Sequence, residues 1–277
     1  MTTNSTTPRL MQWWRWYLEV TGERILGTIT VLRELAAFAV ITLGVTLTKF
    51  NRSKRVIHPL IMNQIWKAGV RLLPMVGFLG LALGLVIIGQ TVALLTKVGA
   101  QEYIGTVMVT VVVRELGPLL TVIVVLARSG TSNVVELGMS RALGEVEALE
   151  SLGIDPIHYL VIPRVLALAA TVLCLTTYLI LIAIGSGYLF AFLQDVPLTP
   201  SAYFGQLGDA LRWQDFVLLL LKTAAFGIVI AVVNCYHGLA RPLRIEDVPR
   251  VTARAVVESL IGCVLIDAIF LVGYLFV

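Results

Sequence analysis

The chain has 277 residues, of which 58% are hydrophobic and only 14% are charged, and its mean hydropathy of +0.90 excludes an ordinary soluble domain. The net charge of +4 does not indicate nucleic-acid binding, because the basic residues flank apolar runs, where the positive-inside rule places them. Several of these runs reach the roughly 20 residues that cross a bilayer core. The sequence therefore predicts an all-α integral membrane protein of about five membrane helices, with interfacial helices at its N-terminus.

The three cysteines, Cys174, Cys235 and Cys263, lie inside apolar runs without ligand-like spacing. We expect them to pack as buried small side chains, with no disulfide and no metal site. The first twelve residues lack the apolar segment of a signal peptide, so no cleavable leader is expected.

Residues 1–73 are predicted to form a cytoplasmic and interfacial region, and residues 74–277 a transmembrane domain. Tryptophans and arginines alternate over residues 9–35, a mixture typical of the headgroup layer. The uncharged stretch between Glu34 and Lys49 is too short to cross comfortably. From Ile57 to Leu73 the apolar spacing predicts an amphipathic helix in the interface, and Pro74 marks its end.

The run over residues 74–96 is uncharged and rich in glycine. Gly80 and Gly84 form a small-xxx-small pair, which predicts close packing against a neighbouring helix. The glycines also permit a re-entrant hairpin shielded by protein, so both alternatives stay open. Gln90 and Thr91 are the strongly polar side chains near the end of the run.

The next run, Tyr103–Ala127, carries Arg114 and Glu115 near its midpoint. Ionisable groups at this depth cost several kcal/mol unless they face protein or a water-filled cavity. Because adjacent helical residues point about 100° apart, at least one of the two must reach another helix. Both an interhelical ion pair and a direct role in a transport pathway place them in the bundle interior.

Residues 131–152 have apolar positions at three- and four-residue steps and predict a cytoplasmic helix. Thr131 or Ser132 is expected to cap its start, and Gly153 with Pro156 to end it. Its polar side chains are mostly acidic, so it is interpreted as a surface for a partner; the alternative is a solvated connector. These polar residues are Glu136, Arg141, Glu145, Glu147 and Glu150.

A long uncharged run after Arg164 predicts a further span, which is followed by a polar outer loop over residues 195–215. The run Phe216–Tyr236 carries Lys222, and the last run carries Asp267 near its middle. Lys222 is predicted either to pair with Glu115 or to extend to the interface, and Arg114 is predicted to pair with Asp267. The charges place the N-terminus in the cytoplasm and the C-terminus outside.

Four motifs resemble those of the MlaE/YrbE-type permeases, the membrane subunits of lipid-transporting ABC systems. They are RELGPLLT at 114–121, ARSG at 127–130, ELGMSRALGEVEALESLGIDP at 136–156 and YLVIPRVLA at 159–167. The resemblance implies a homodimer of five-helix subunits in the bacterial inner membrane, with two ATPase subunits beneath and MCE-domain proteins on the outer, periplasmic side. It also implies that residues 131–152 form the coupling helix, and that Glu115 and Lys222 belong to a polar centre.

The chain has no GxxxxGK[ST] loop, so ATP is expected on a partner subunit and no cofactor on this chain. The resulting hypothesis is a permease for lipids, with phospholipid the expected class, and a substrate pathway at Arg114, Glu115, Lys222, Asp267, Gln90 and Thr91. A membrane scaffold that anchors MCE and ATPase subunits is the alternative. A secondary transporter is disfavoured, because the hydropathy pattern lacks two inverted halves.

Overall fold

The computed structural model describes residues 30, 33–42, 44, 54–193, 199–239 and 243–274. The interfacial assignments for residues 1–29 and 45–53 lie outside these ranges. Within them the regular structure is entirely helical, and five helices are long and apolar enough to cross a membrane. The prediction of an all-α membrane protein with about five spans is confirmed.

Residues 33–42 are helical, and the helical stretches that follow them are labelled in chain order: α1 (His58–Lys97), α2 (Gln101–Ala142), α3 (Glu145–Ser151), α4 (Ile157–Leu193), α5 (Pro200–Ala210), α6 (Trp213–Leu239) and α7 (Ile245–Tyr274). The α-helical part of α1 begins four residues earlier, at Lys54. The regions predicted as an interfacial helix and as a glycine-rich span thus belong to one helical stretch, which continues through Pro74.

Helix α4 lies at the centre of the bundle, where α1 and α6 pack on it. It is apolar around its circumference, as expected of a helix that contacts neighbours on several sides. The approach of α1 depends on glycine. A Cβ atom at Gly80 would lie 2.9 Å from the Leu179 carbonyl oxygen, and one at Gly84 would overlap Ser186. No larger side chain fits Gly84 without moving the two helices apart.

Helix α2 is longer than the predicted span Tyr103–Ala127, because it continues through residues 128–130 into the region predicted as a separate cytoplasmic helix. The Thr131 hydroxyl donates to the carbonyl of Ala127, one turn earlier in the same helix, so the expected N-cap does not form. The predicted single helix over 131–152 is also wrong, because Gly144 has a left-handed backbone (φ +78°) and separates α2 from α3. The predicted end near Gly153, with φ +75°, is correct.

Several helical segments have wider π turns, which accommodate an extra residue and occur frequently at functional sites. One of them contains the charged pair Arg114 and Glu115. Within the described ranges the π segments are Gly84–Ile88, Val109–Leu116, Leu126–Gly130 and Ile157–Val161.

The expected outer loop over residues 195–215 contains helix α5, which packs against α2. The side chain of Thr199 accepts the Ala202 amide at 3.3 Å and caps the helix. Tyr203 is buried, donates to the Ile184 carbonyl oxygen at 3.2 Å, and has its pKa raised to about 12 by burial. The missed signal is the four-residue step from Tyr203 to Leu207, which buries one side of a short helix.

The cysteine prediction is correct for Cys235 and Cys263, which are buried. It is wrong for Cys174, which lies on an exposed side of α4. A long apolar run does not distinguish the face of a spanning helix that meets lipid from the face that meets protein.

Candidate functional site

Lys222 of α6 is the centre of a charged cluster, and its side chain is fully buried. Its Nζ atom lies 2.7 Å from Asp267 Oδ1 on α7 and 3.1 Å from Glu115 Oε2 on α2. The same ammonium donates to the Arg114 carbonyl oxygen at 2.8 Å. An ammonium has three N–H donors, and three acceptors surround this one. Lys222 therefore joins three spans and does not extend to the interface.

Arg114 forms the third ion pair of the cluster. Its Nε atom lies 2.9 Å from Asp215 Oδ1, and its guanidinium carbon lies 5.0 Å from the centre of the Tyr274 ring. The Asp215 carboxylate is 3% exposed, and its other oxygen accepts the backbone N–H of Arg212 at 2.9 Å. The prediction that Arg114 pairs with Asp267 is wrong.

The helix geometry explains this pairing. Arg114 and Glu115 are adjacent, so their side chains diverge and reach different partners. Asp215 precedes Lys222 by seven residues, which is two helical turns and places both on one face of α6. The sequence interpretation missed Asp215 because it assigned the residue to the outer loop, whereas α6 begins at Trp213. The seven-residue spacing was the available signal.

The cluster contains two cations, Arg114 and Lys222, and three carboxylates, Glu115, Asp215 and Asp267. Removing such groups from water costs several kcal/mol each unless they are paired and hydrogen-bonded. Here each cation has a carboxylate within 3.1 Å. Glu115 and Arg114 retain 23% and 24% exposure, so the cluster is open on this side.

A polar cavity of about 330 Å³ adjoins the cluster on the Arg114 side. One wall is the face of α2 that carries Thr106 and Thr110. The second is the α5–α6 junction, and the third is Tyr274 at the end of α7. The junction contributes Asp209, Ala210, Arg212, Gln214 and Asp215. The open side of the charged cluster thus continues into a space that a small polar group can enter.

Two other residues predicted for the substrate pathway lie on α1. The Thr91 hydroxyl donates to the Ile87 carbonyl oxygen at 2.8 Å, which satisfies it within its own helix. Gln90 is exposed on the surface of the chain. Their role in a substrate pathway stays a prediction.

The polar residues of the predicted coupling helix fall into two groups. Glu136 lies 3.4 Å from Lys67 of α1 and 3.2 Å from Arg164 of α4, so it binds within the chain. Arg141 pairs with Glu147 at 3.2 Å across the turn at Gly144. Glu145 and Glu150 are exposed on α3. The exposed acidic surface in this part of the chain is therefore the short helix α3.

Further polar contacts join α1 and α2 in the turns of α2 that precede Glu136. The Gln64 side-chain amide donates to Asn133 at 2.7 Å, and the Ser129 hydroxyl donates to the Ala68 carbonyl oxygen at 3.1 Å. With the pair Lys67–Glu136, these contacts form a ladder along one face of α2. The ladder joins the α3 end of α2 to α1.

Five apolar helices around a buried charge network are the architecture of a multi-pass membrane protein, and buried charges in such proteins often mark a transport pathway. Residues 61–272, more than half of the chain, match the family described as Permease MlaE. The chain therefore belongs to the MlaE permease family, whose members are ABC-type membrane subunits rather than catalytic enzymes.

Relatives from several lineages agree with this assignment. A probable ABC transporter permease protein of Rickettsia typhi is 34% identical over 200 residues, which is 72% of this chain and 77% of the relative. The chloroplastic protein TRIGALACTOSYLDIACYLGLYCEROL 1 of Arabidopsis thaliana is 33% identical over 64% of this chain and 51% of its own length. The intermembrane phospholipid transport system permease protein MlaE of Haemophilus influenzae is 24% identical over 73% and 77%, respectively.

Proposed function

We propose that this chain is the membrane subunit of an ABC system that moves phospholipid, with a separate ATPase and an MCE-domain protein as partners. The observation that carries the proposal is the buried charge cluster, which opens into a polar cavity at the side of the bundle. A phospholipid has a polar headgroup and apolar chains, and this arrangement offers a polar recess beside apolar helix faces. The Haemophilus relative is named as a phospholipid transport permease, which supports the same substrate class.

The energy source is proposed to be a partner ATPase, because the chain has no Walker loop of its own. The exposed acidic helix α3 is the proposed contact. Glu145 and Glu150 face solvent there, and the apolar residues Leu143 and Leu152 flank the helix with 61% and 74% exposure. Exposed apolar side chains beside charges are typical of a protein interface.

The assembly is proposed to be a homodimer in the inner membrane, with the α3 end in the cytoplasm. This orientation rests on the basic residues around the α3 end of the bundle, which include Lys67, Arg71, Arg128 and Arg254. In this orientation the cavity lies toward the periplasmic side, where an MCE-domain protein would receive or deliver the lipid.

The test is reconstitution of the chain with its ATPase and MCE partners in vesicles that contain fluorescent phospholipid. We expect lipid transfer that requires ATP. Transfer that proceeds equally without ATP would contradict ATP-driven transport, and lipid that never leaves the vesicle while all subunits assemble would favour the membrane scaffold instead.

The contact at α3 is tested separately by charge reversal. Glu150→Lys should weaken co-purification of the ATPase, because the residue is exposed and forms no ion pair within the described part of the chain. Glu102→Lys, an exposed glutamate at the opposite end of α2, is the matched control and should leave the assembly intact. Equal co-purification of the ATPase with both variants would exclude α3 as the contact.

A further inference from the structure

The polar cavity contains one charge of each sign that the protein itself leaves unused. Asp209 lies in the last turn of α5, and Arg212 lies in the short connection to α6. Both side chains are exposed, and neither forms an ion pair with any residue that the structure describes. The other charged groups of the lining, Arg114 and Asp215, already bind one another.

Lys222 is also excluded as a ligand-binding group. It is fully buried, donates to the Arg114 carbonyl oxygen and to Glu115, and lies 2.7 Å from the Asp267 carboxylate. The charge of Arg114 is balanced by Asp215, although its terminal N–H groups still line the cavity, so Arg212 supplies the uncompensated positive charge for an anion there. The hydroxyls of Thr106 and Thr110 supply neutral donors on the opposite wall, one turn apart on α2.

The unpaired carboxylate of Asp209 would be matched by a cationic group on the ligand. Asp215 is a poor partner for a cationic ligand, because its carboxylate is 3% exposed and its charge is balanced by Arg114, whose Nε lies 2.9 Å away. A ligand that carries only negative charge would bring its anion close to an unpaired carboxylate. A ligand with a phosphate and an ammonium group pairs with both Arg212 and Asp209.

We propose that this cavity selects the headgroup of a zwitterionic phospholipid, with the phosphate on Arg212 and the two threonines and the ammonium on Asp209. The inference rests on the proposed function and specifies its substrate. The cavity is large enough for a headgroup but lies at the low end of ligand pockets, so the acyl chains must remain outside it. Exposed apolar residues of the spans beside it, Phe216 and Leu271, offer them a surface.

The experiment measures the lipids that the protein retains. The intact chain is reconstituted in membranes of equal phosphatidylethanolamine and phosphatidylglycerol, re-extracted in mild detergent, and the bound lipids are quantified by mass spectrometry. Wild type should retain phosphatidylethanolamine preferentially. Asp209→Asn should shift the ratio about tenfold toward phosphatidylglycerol, which corresponds to one charge-assisted hydrogen bond. Arg212→Gln should lower the retention of both lipids by a similar factor, because both carry the phosphate.

The matched controls are Asp247→Asn and Arg244→Gln, which change exposed charges at the opposite end of α7. They should leave both the ratio and the amount unchanged. An unchanged ratio in Asp209→Asn, or an equal shift in Asp247→Asn, would overturn the inference. Displacement of the lipid by soluble glycerophosphoethanolamine at equal concentration would also overturn it, because the site would then bind a water-soluble ligand.

This readout does not require ATP or partner subunits. If Asp209→Asn leaves the ratio unchanged while ATP-driven transfer persists, the headgroup assignment fails and the proposed function stands. If wild type retains phosphatidylethanolamine selectively but transfers no lipid with ATP, the proposed transport function fails and the binding site stands.

Discussion

Replacement of Lys222 by methionine is expected to be among the most destabilising single changes in the bundle. Methionine has a similar length, so packing is largely kept, but the change removes the cation that Glu115 and Asp267 share. Breaking a buried ion pair by removing one partner costs about 3–5 kcal/mol, because the remaining charge is left uncompensated. Two carboxylates are left here, so we expect a value at the upper end of this range.

The two carboxylates should not contribute equally. Asp267 lies closer to the ammonium than Glu115, at 2.7 Å against 3.1 Å, and is less exposed, at 14% against 23%. The coupling free energy from a double-mutant cycle should therefore be larger for Lys222 with Asp267→Asn than for Lys222 with Glu115→Gln. Either neutralised carboxylate should also lessen the cost of Lys222→Met, because only one negative charge then remains.

The free energy of unfolding is measured by titrating the reconstituted protein with a denaturing detergent. Lys67→Met is the matched control, since Lys67 pairs with Glu136 at 3.4 Å while both side chains remain about 40% exposed. An exposed pair of this kind contributes roughly 0–1 kcal/mol. Equal losses for Lys222→Met and Lys67→Met, or strictly additive losses in the cycles, would refute the description of Lys222 as a buried shared cation.

Three further substitutions test the packing of α1 on α4, the ion pair of Arg114 with Asp215, and the attachment of α5. Gly84→Leu should cost at least about 1–3 kcal/mol from overpacking and should impair assembly of the bundle, whereas Gly185→Leu, which has open space, should cost far less in the same unfolding assay. Asp215→Asn should cost about 1–3 kcal/mol, because the Arg114 guanidinium loses its carboxylate, and a wild-type unfolding curve would argue against this pair. Tyr203→Phe removes one buried hydrogen bond and should cost about 1 kcal/mol, with unchanged secondary structure by circular dichroism; a cost near zero would show that the hydroxyl is not needed to hold α5.

The spans could be predicted from the sequence because a bilayer requires long apolar helices, and hydropathy measures this property directly. The turn at Gly144 was missed, since the apolar periodicity continues on both sides of it and only its left-handed backbone separates α2 from α3. The continuity of α2 through Gly130 was missed for the opposite reason. Polar residues there indicated an exit from the membrane, but they bond within the bundle or along the helix.

For the site, depth in the membrane was the useful signal. Glu115 and Lys222 each lie within an apolar run, and the cost of an unpaired charge there predicted that Glu115 would face protein, whereas Lys222 was left open between pairing with Glu115 and extending to the interface. Depth alone could not assign partners. Asp267 was assigned to Arg114, whereas the structure joins it to Lys222, because the choice depends on helix rotation and on the π turns around Arg114. Side-chain rotation about a helix axis is not encoded in hydropathy.

Helix α2 connects the two ends of the proposed mechanism. It carries Arg114 and Glu115 in one half, and in the other half it leads to the turn at Gly144 and the exposed helix α3. Between the charged pair and the turn at Gly144 the chain remains helical. No flexible loop within α2 can therefore absorb a displacement that begins at α3. The polar ladder to α1 resists such a displacement, since moving α2 would break the contact of Asn133 with a buried amide. A partner can therefore shift α2 only if it binds the shifted arrangement more tightly, by at least the free energy of the contacts that are lost.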